Sequence, residues 1–193
     1  MEVYETIIKR RSIRKFKQRF ISFNILKKLV NAARLAPSAA NLQPLEYIII
    51  NRNGLLDKVF GCLRWAAYIH PEGIPPEDKK PVAYIVVLIN TKKSALSNYF
   101  GHDAGAAVEN IVLTAKSFGI GSCWIGSIDR DRLRKLLKIP QFCLIDSVVA
   151  LGYPDEAPKL EVFKGSVKYW KDKTDRLHVP KRGLREIIHR DKY

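Results

Sequence analysis

The chain has 193 residues, 47% of them hydrophobic and 27% charged, with 34 Lys+Arg against 19 Asp+Glu for a formal net charge of +15. A chain of this size buries roughly 70% of the surface its unfolded form exposes, so it builds a core without disulfide or metal staples, and intrinsic disorder is excluded as its overall state. Cys62, Cys123 and Cys143 include no Cys-x-x-Cys pair, which argues against a disulfide framework or a structural zinc site and suits a reducing cytoplasm.

At the N-terminus, residues 1–8 lack the apolar core of a signal peptide, and Val3–Lys9 reads as a short helix running into Arg10-Arg11-Ser12-Ile13-Arg14. Ten cations and no acid lie between Thr6 and Leu45. Ser22 is placed to cap a helix over Phe23–Leu35, whose apolar face is Ile25, Leu29, Val30, Ala33 and Leu35. Pro37 to Pro44 is a polar loop by composition, and Tyr47–Ile50 begins a strand. Gly54–Leu63 reads as helix and His70–Pro81 as an exposed excursion. Val82–Ile89, the longest apolar run, reads as a strand buried on both faces and is far below the roughly 20 residues of a membrane span.

Further along, the pattern predicts a largely buried helix from Asp103, taken as its cap, through Phe118. A strand over Ser122–Ile125, a basic helix capped by Asp129 and ending at Leu137, and a core strand over Ile145–Leu151 follow. Strands alternating with helices make the chain α+β or α/β. From residue 152 to 193, aromatics, prolines and eleven Lys+Arg mix without period, which reads as an arm of one domain spanning 1–193. An arm of this kind needs a partner surface to bury Val162, Phe163, Tyr169 and Trp170, so a homodimer involving it and the Asp103–Phe118 helix is expected.

Chemistry is carried by few residues. In extended backbone, Arg10, Ser12 and Arg14 project to one side and form a grip for phosphate, because guanidinium forks bind its oxygens bidentately. Ser38, Asn41 and Gln43 place a hydroxyl and two amides on one loop, suited to a ligand rich in carbonyls and hydroxyls. Gly119-Ile120-Gly121 follows a helix and not a strand, so no dinucleotide fingerprint is present, while Gly126 leaves backbone open to a planar ligand. His70, His102, His178 and His189 lack metal-ligand spacing, and Cys123 beside Trp124 reads as a core thiol. A net charge of +15 also admits a nucleic-acid-binding protein. The cations nevertheless cluster beside the phosphate grip without interleaved stacking aromatics, so no specific nucleic-acid partner is expected.

With those motifs in view, the chain resembles the nitroreductase-like family of FMN-dependent oxidoreductases. The match is carried by Arg10-Arg11-Ser12-Ile13-Arg14, by Pro37-Ser38-Ala39-Ala40-Asn41-Leu42-Gln43-Pro44, by Gly119 to Gly126, by Asp103 to Ala107 with Asn110, and by Lys181-Arg182-Gly183-Leu184. The resemblance implies an α+β fold with a central, mostly antiparallel sheet flanked by helices, in an intertwined homodimer. It implies FMN as cofactor, NADH or NADPH as donor, and reduction of a small planar acceptor such as a nitroaromatic or quinone by a ping-pong mechanism. Carried over, Arg10, Arg11 and Ser12 with Lys181 or Arg182 hold the phosphate and ribityl end, and Arg14 approaches the ring. Pro37, Ser38 and Ala39 cover the cofactor from the other subunit, with Asn41 and Gln43 adding polar contacts. Gly126 offers a backbone donor near the flavin N5, Ile125 belongs to the cofactor-binding set, and no side chain is required as a nucleophile. A flavin-binding module without turnover is the remaining alternative. Leu45 stands where the family often has Trp, and Gly183 where it often has Pro; the first change falls on the substrate side.

Overall fold

Residues 2–193 are described by a computed structural model. The N-terminal helix α1 (Val3–Lys9) is followed by the two-residue strand β1 (Phe16–Lys17) and by α2 (Phe23–Arg34), whose cap is Ser22: its Oγ accepts the Ile25 N–H at 3.4 Å. Then come β2 (Leu45–Ile50), α3 (Asn53–Phe60), β3 (Ala83–Asn90), α4 (Phe100–Ser117), β4 (Gly121–Ile125), α5 (Arg130–Leu137) and β5 (Cys143–Pro154). Asp129 caps α5 as its position predicts, accepting the Arg132 N–H at 3.0 Å.

The central sheet is antiparallel throughout, in the order β1-β5-β3-β2, with β4 also paired to β5. Strand β3 explains why its sequence is apolar without alternation. Tyr84, Val86 and Leu88 face one core with Val59 of α3 and Leu133 of α5, whereas Ala83, Ile85 and Val87 face a second core with Leu26 and Leu29 of α2 and Ala107 and Ile111 of α4. Helices thus cover both faces of the sheet, and truncating a residue such as Ile85 to Ala is expected to cost about 2–5 kcal/mol. The fold is α+β with a central antiparallel sheet flanked by helices.

Several expectations need correction: Leu35, assigned to the apolar face of α2, is exposed, and Leu26 is buried there instead. Helix α4 starts at Phe100, one turn before Asp103, so Asp103 is buried inside the first turn and does not cap the helix. The segment after β5 also has regular structure of its own: β6 (Lys159–Val162) pairs in parallel with β8 (Leu177–Lys181), and β7 (Trp170–Lys171) pairs antiparallel with β8. The cause lies in side chains that strand or helix periodicity does not connect. His178 sits between the Glu161 carboxylate at 2.7 Å and the Asp172 carboxylate at 2.9 Å, and its ring stacks on Trp170 with centroids 4.1 Å apart. Two carboxylates on the two ring nitrogens favour imidazolium, and the Asp172 and Glu161 hydrogen bonds raise the His178 pKa.

Candidate functional site

Two glycines facing each other across β4 and β5, Gly121 and Gly152, decide where the N-terminal basic segment lies. A Cβ on Gly121 would stand 2.8 Å from Ile13 Cγ1, and one on Gly152 would stand 2.7 Å from the Phe16 ring. Their absence lets Ile13 and Phe16 seat as buried side chains, and the Ile13 N–H bonds the Ser122 carbonyl at 2.9 Å. Arg14 lies between these anchors. Its backbone N–H is bound by the Glu156 carboxylate, and its guanidinium lies over the Tyr169 ring at 5.0 Å.

Arg14 forms part of the wall of a cavity of about 700 Å3, shared with Trp65, Cys123, Trp124, Ile125, Gly126 and Tyr169. A tether builds the opposite wall: the Arg64 N–H bonds the Ser127 carbonyl at 3.0 Å, and Leu63 bridges Ile128, so residues 63–66 cross beside the end of β4. Trp65 is buried there and stacks on Phe60, centroids 5.5 Å apart. The Gly126 carbonyl is held by Arg130 Nη2 at 3.2 Å, while Arg130 Nε bonds the Ile145 carbonyl at 2.9 Å. A Cβ built on Gly126 meets no atom within 4 Å, so that glycine keeps space open beside the backbone. Two buried donors near this space, Arg14 Nε and Trp65 Nε1, have no partner among the described residues. Burial raises the pKa of the Cys123 thiol, which suits a core role and not a nucleophile.

A second cluster forms at the start of α4. The Pro37–Pro44 loop holds Ala40, Asn41 and Gln43 at φ of 48°, 55° and 49°, the left-handed region that side chains with a Cβ disfavour. Hydrogen bonds fix it. Asp103 Oδ1 accepts the Ala39 N–H at 2.9 Å, Ser38 Oγ accepts the Gln43 N–H at 3.1 Å, the Ser38 carbonyl accepts the Asn41 N–H at 2.9 Å, and Asn41 Oδ1 accepts from Gln43 Nε2 at 3.2 Å. Pro37, Ser38, Gln43, Tyr47 and Asp103 line a separate cavity of about 200 Å3. Burial pushes the Tyr47 hydroxyl up to about 12.

Of the thirteen residues singled out from the sequence, Arg14, Ile125 and Gly126 therefore meet in the large cavity, and Pro37, Ser38 and Gln43 in the small one. Ala39 and Asn41 belong to the same loop as the second group. Arg10 ends α1, and Ser12 pairs with Ser122 on the edge of β4; neither lines the large cavity. Arg11 donates to the Ile8 carbonyl at 2.9 Å, and its Nε is a third buried donor without a partner. Lys181 and Arg182 lie exposed at the end of β8, with no hydrogen bond or ion pair to Arg10, Arg11 or Arg14 among the described residues. The sequence reading did not single out Asp103 as the pin of the loop, Arg130 as the clamp on Gly126, or Tyr169 and Trp65 as cavity walls. Arg130 follows the cap Asp129 by one residue, but nothing local indicates that it reaches back to Gly126.

Comparison with known proteins gives consistent matches. The model described as the nitroreductase family matches residues 7–72 and 78–153. The chain is 34% identical, over all of its length and 99% of the relative's, to a protein of Archaeoglobus fulgidus provisionally named NADH dehydrogenase/NAD(P)H nitroreductase. Among solved structures, a nitroreductase family protein from Clostridium novyi superposes with a TM-score of 0.67 at 28% identity, covering 80% of this chain and 87% of that one. An FMN-dependent nitroreductase from Clostridium difficile superposes with a TM-score of 0.70 over 97% of this chain and 98% of its own; at 24% identity it speaks for the fold alone.

Proposed function

The chain belongs to the nitroreductase family, and from that premise we propose that it is an FMN-dependent oxidoreductase that uses NADH or NADPH to reduce a small planar acceptor. The observation that carries the reading is the buried Arg14 Nε, a charged donor without a partner in a group that lines the large cavity. A buried unsatisfied donor costs about 1–3 kcal/mol, more when charged, so a ligand with acceptor atoms at that wall relieves it. The fit to FMN is supported in two further ways. The volume of about 700 Å3 lies within the range of cofactor and ligand sites. Open space beside Gly126 admits a flat ring against backbone, which a side chain at that position would block.

Bound FMN supplies two-electron transfer between the donor and the acceptor. The protein's own part is placement. Arg14, held by Glu156 through its backbone and by Tyr169 through its guanidinium, would hold the cofactor with a fixed positive charge at the cavity wall. Arg130 fixes the peptide at Gly126, while Trp65 and Trp124 offer apolar walls that reduce water in the cavity. In the proposed ping-pong scheme, donor and acceptor would use this one cavity in turn. The name of the Archaeoglobus relative supports NAD(P)H as donor.

The proposal includes one domain over residues 1–193 with an arm from about 152, assembled as a homodimer. It is supported by two observations: the Ser38–Gln43 loop lies on a cavity other than that of Arg14, which fits a site whose two halves come from different subunits, and Val3, Tyr4, Ile7 and Ile8 of α1 and Val162 and Trp170 of the arm are exposed. Arg10, Arg11, Ser12, Lys181 and Arg182 are proposed for the phosphate end. No described helix is long and apolar enough to cross a membrane. A cytoplasmic location follows from the cysteine usage and remains part of this proposal.

The test is direct. The purified protein is expected to be yellow, to release FMN on denaturation, to elute as a dimer in light scattering, and to oxidise NADH or NADPH when a quinone or nitroaromatic is added. A colourless protein that also fails to take up added FMN would overturn the reading.

A further inference from the structure

We infer that the large cavity selects planar aromatic acceptors that carry an anionic group, a carboxylate in the simplest case, and that Arg64 grips this group. The inference rests on the oxidoreductase reading above and adds the class of its second substrate. Arg14, Arg64 and His70 line the cavity, and no aspartate or glutamate does. Its side-chain lining is therefore rich in donors, with side-chain oxygen and nitrogen acceptors limited to hydroxyls and imidazole. The aromatic walls, Phe60, Trp65, Trp124 and Tyr169, favour a flat ligand.

Arg64 differs from the other arginines nearby. Arg130 bonds the Gly126 and Ile145 carbonyls, Arg132 bonds the Gly61 carbonyl at 3.1 Å, and Arg134 bonds the Cys143 carbonyl at 2.9 Å. The Arg14 guanidinium is held on Tyr169. Arg64 has its backbone N–H fixed to Ser127, yet its guanidinium makes no hydrogen bond or ion pair with any described residue. It is thus an anchored cation with free donors at the cavity wall, beside Trp65, whose buried Nε1 also lacks a partner. A guanidinium fork matches a carboxylate bidentately, and the chain's charge of +15 raises the local concentration of anions. Because Arg64 is exposed, the gain is modest, about tenfold, which is about 1.4 kcal/mol.

The experiment compares 4-nitrobenzoate with uncharged 4-nitrobenzamide on the FMN-loaded protein, by isothermal titration calorimetry and by kcat/KM. Wild type is expected to favour the carboxylate about tenfold in both measurements, Arg64→Gln to bring the ratio close to one, and Arg64→Lys to retain part of it. Equal affinities in wild type, or a preference that survives Arg64→Gln, would overturn the inference. So would a loss confined to the KM of NADPH relative to NADH, which assigns the anion to the donor's phosphate, or a fall in FMN affinity, which assigns Arg64 to the cofactor. Protein that binds 4-nitrobenzoate preferentially yet oxidises no reduced nicotinamide would sink the oxidoreductase reading and leave the anion site standing.

Discussion

The wall of the large cavity and the Pro37–Pro44 loop treat their polar groups in opposite ways. At the cavity, donors on Arg14 and Trp65 are buried and unmatched, and the surrounding backbone is held by the side chains of Arg130 and Glu156. In the loop, Ser38, Asn41, Gln43 and Asp103 satisfy one another, and three left-handed residues with a Cβ are held in place by those bonds. An unmatched wall is one that a ligand completes. A strained loop whose groups are already matched is a preformed surface, rigid before anything touches it. If the two halves of a cofactor site come from two subunits, the first supplies binding energy and the second supplies shape.

The largest effect is expected at the cavity. Arg14→Gln should weaken FMN binding to apoprotein roughly 10- to 150-fold, the equivalent of about 1.5–3 kcal/mol for a hydrogen bond to a charged group, measured by fluorescence titration. With FMN saturating, the same variant should lower the two-electron midpoint potential by at most roughly 30–65 mV, because the cation also contacts the oxidised form. An affinity within twofold of wild type would remove the contrast between the regions.

Next comes the loop's pin. Asp103→Ala leaves the Ala39 N–H without its acceptor and should destabilise the protein by about 1–3 kcal/mol in denaturant unfolding, with faster hydrogen exchange across 38–43. Asp103→Asn keeps an oxygen acceptor and should retain most of the stability. If Asp103→Ala unfolds like wild type, the loop is held by something else.

A smaller effect of opposite sign tests the strain itself. At φ 48°, Ala40 is in a region that disfavours a Cβ by about 1–2 kcal/mol, while glycine loosens the unfolded chain by about 0.4–1 kcal/mol. Ala40→Gly should therefore stabilise the protein by up to about 1.6 kcal/mol. Destabilisation would show that the loop is relaxed.

The smallest change concerns the arm that carries Tyr169 to the cavity. The His178 pKa is raised by Asp172 and Glu161, so its contribution is fully present below the unfolded value of 6.5 and is lost as pH rises through the higher folded value. Asp172 and Glu161 are lowered, chiefly by His178, so their contribution is present above the ordinary carboxylate range and lost in acid. Protection factors in β6 and β8 should peak in the mildly acidic window between those limits and fall toward alkaline pH. His178→Gln should flatten that profile without changing protection in β3, and a profile that is flat in wild type would dismiss the pin.

Much of this molecule is legible locally. The Ser22 and Asp129 caps, the apolar run of β3 and the apolar spacing of α4 each depend on residues within a few positions of one another, and each predicts its element to within a few residues. The motifs around Arg14, Ser38 and Gly126 likewise carry the family resemblance without any coordinates. What sequence alone left open is set by pairs distant along the chain: Gly121 with Ile13, Arg64 with Ser127, Ala39 with Asp103, Arg14 with Tyr169, Glu161 with His178. Helix periods, caps and apolar runs report short-range hydrogen bonding and which side of an element is dry. They contain nothing about which distant donor meets which acceptor, because that depends on how the sheet and its two helical layers stack. Local chemistry therefore determined the elements and the residues suited to an acceptor-rich ligand. Only the packed tertiary structure decided that Asp103 pins a loop instead of capping a helix, and that Arg64 is left with its charge unspent.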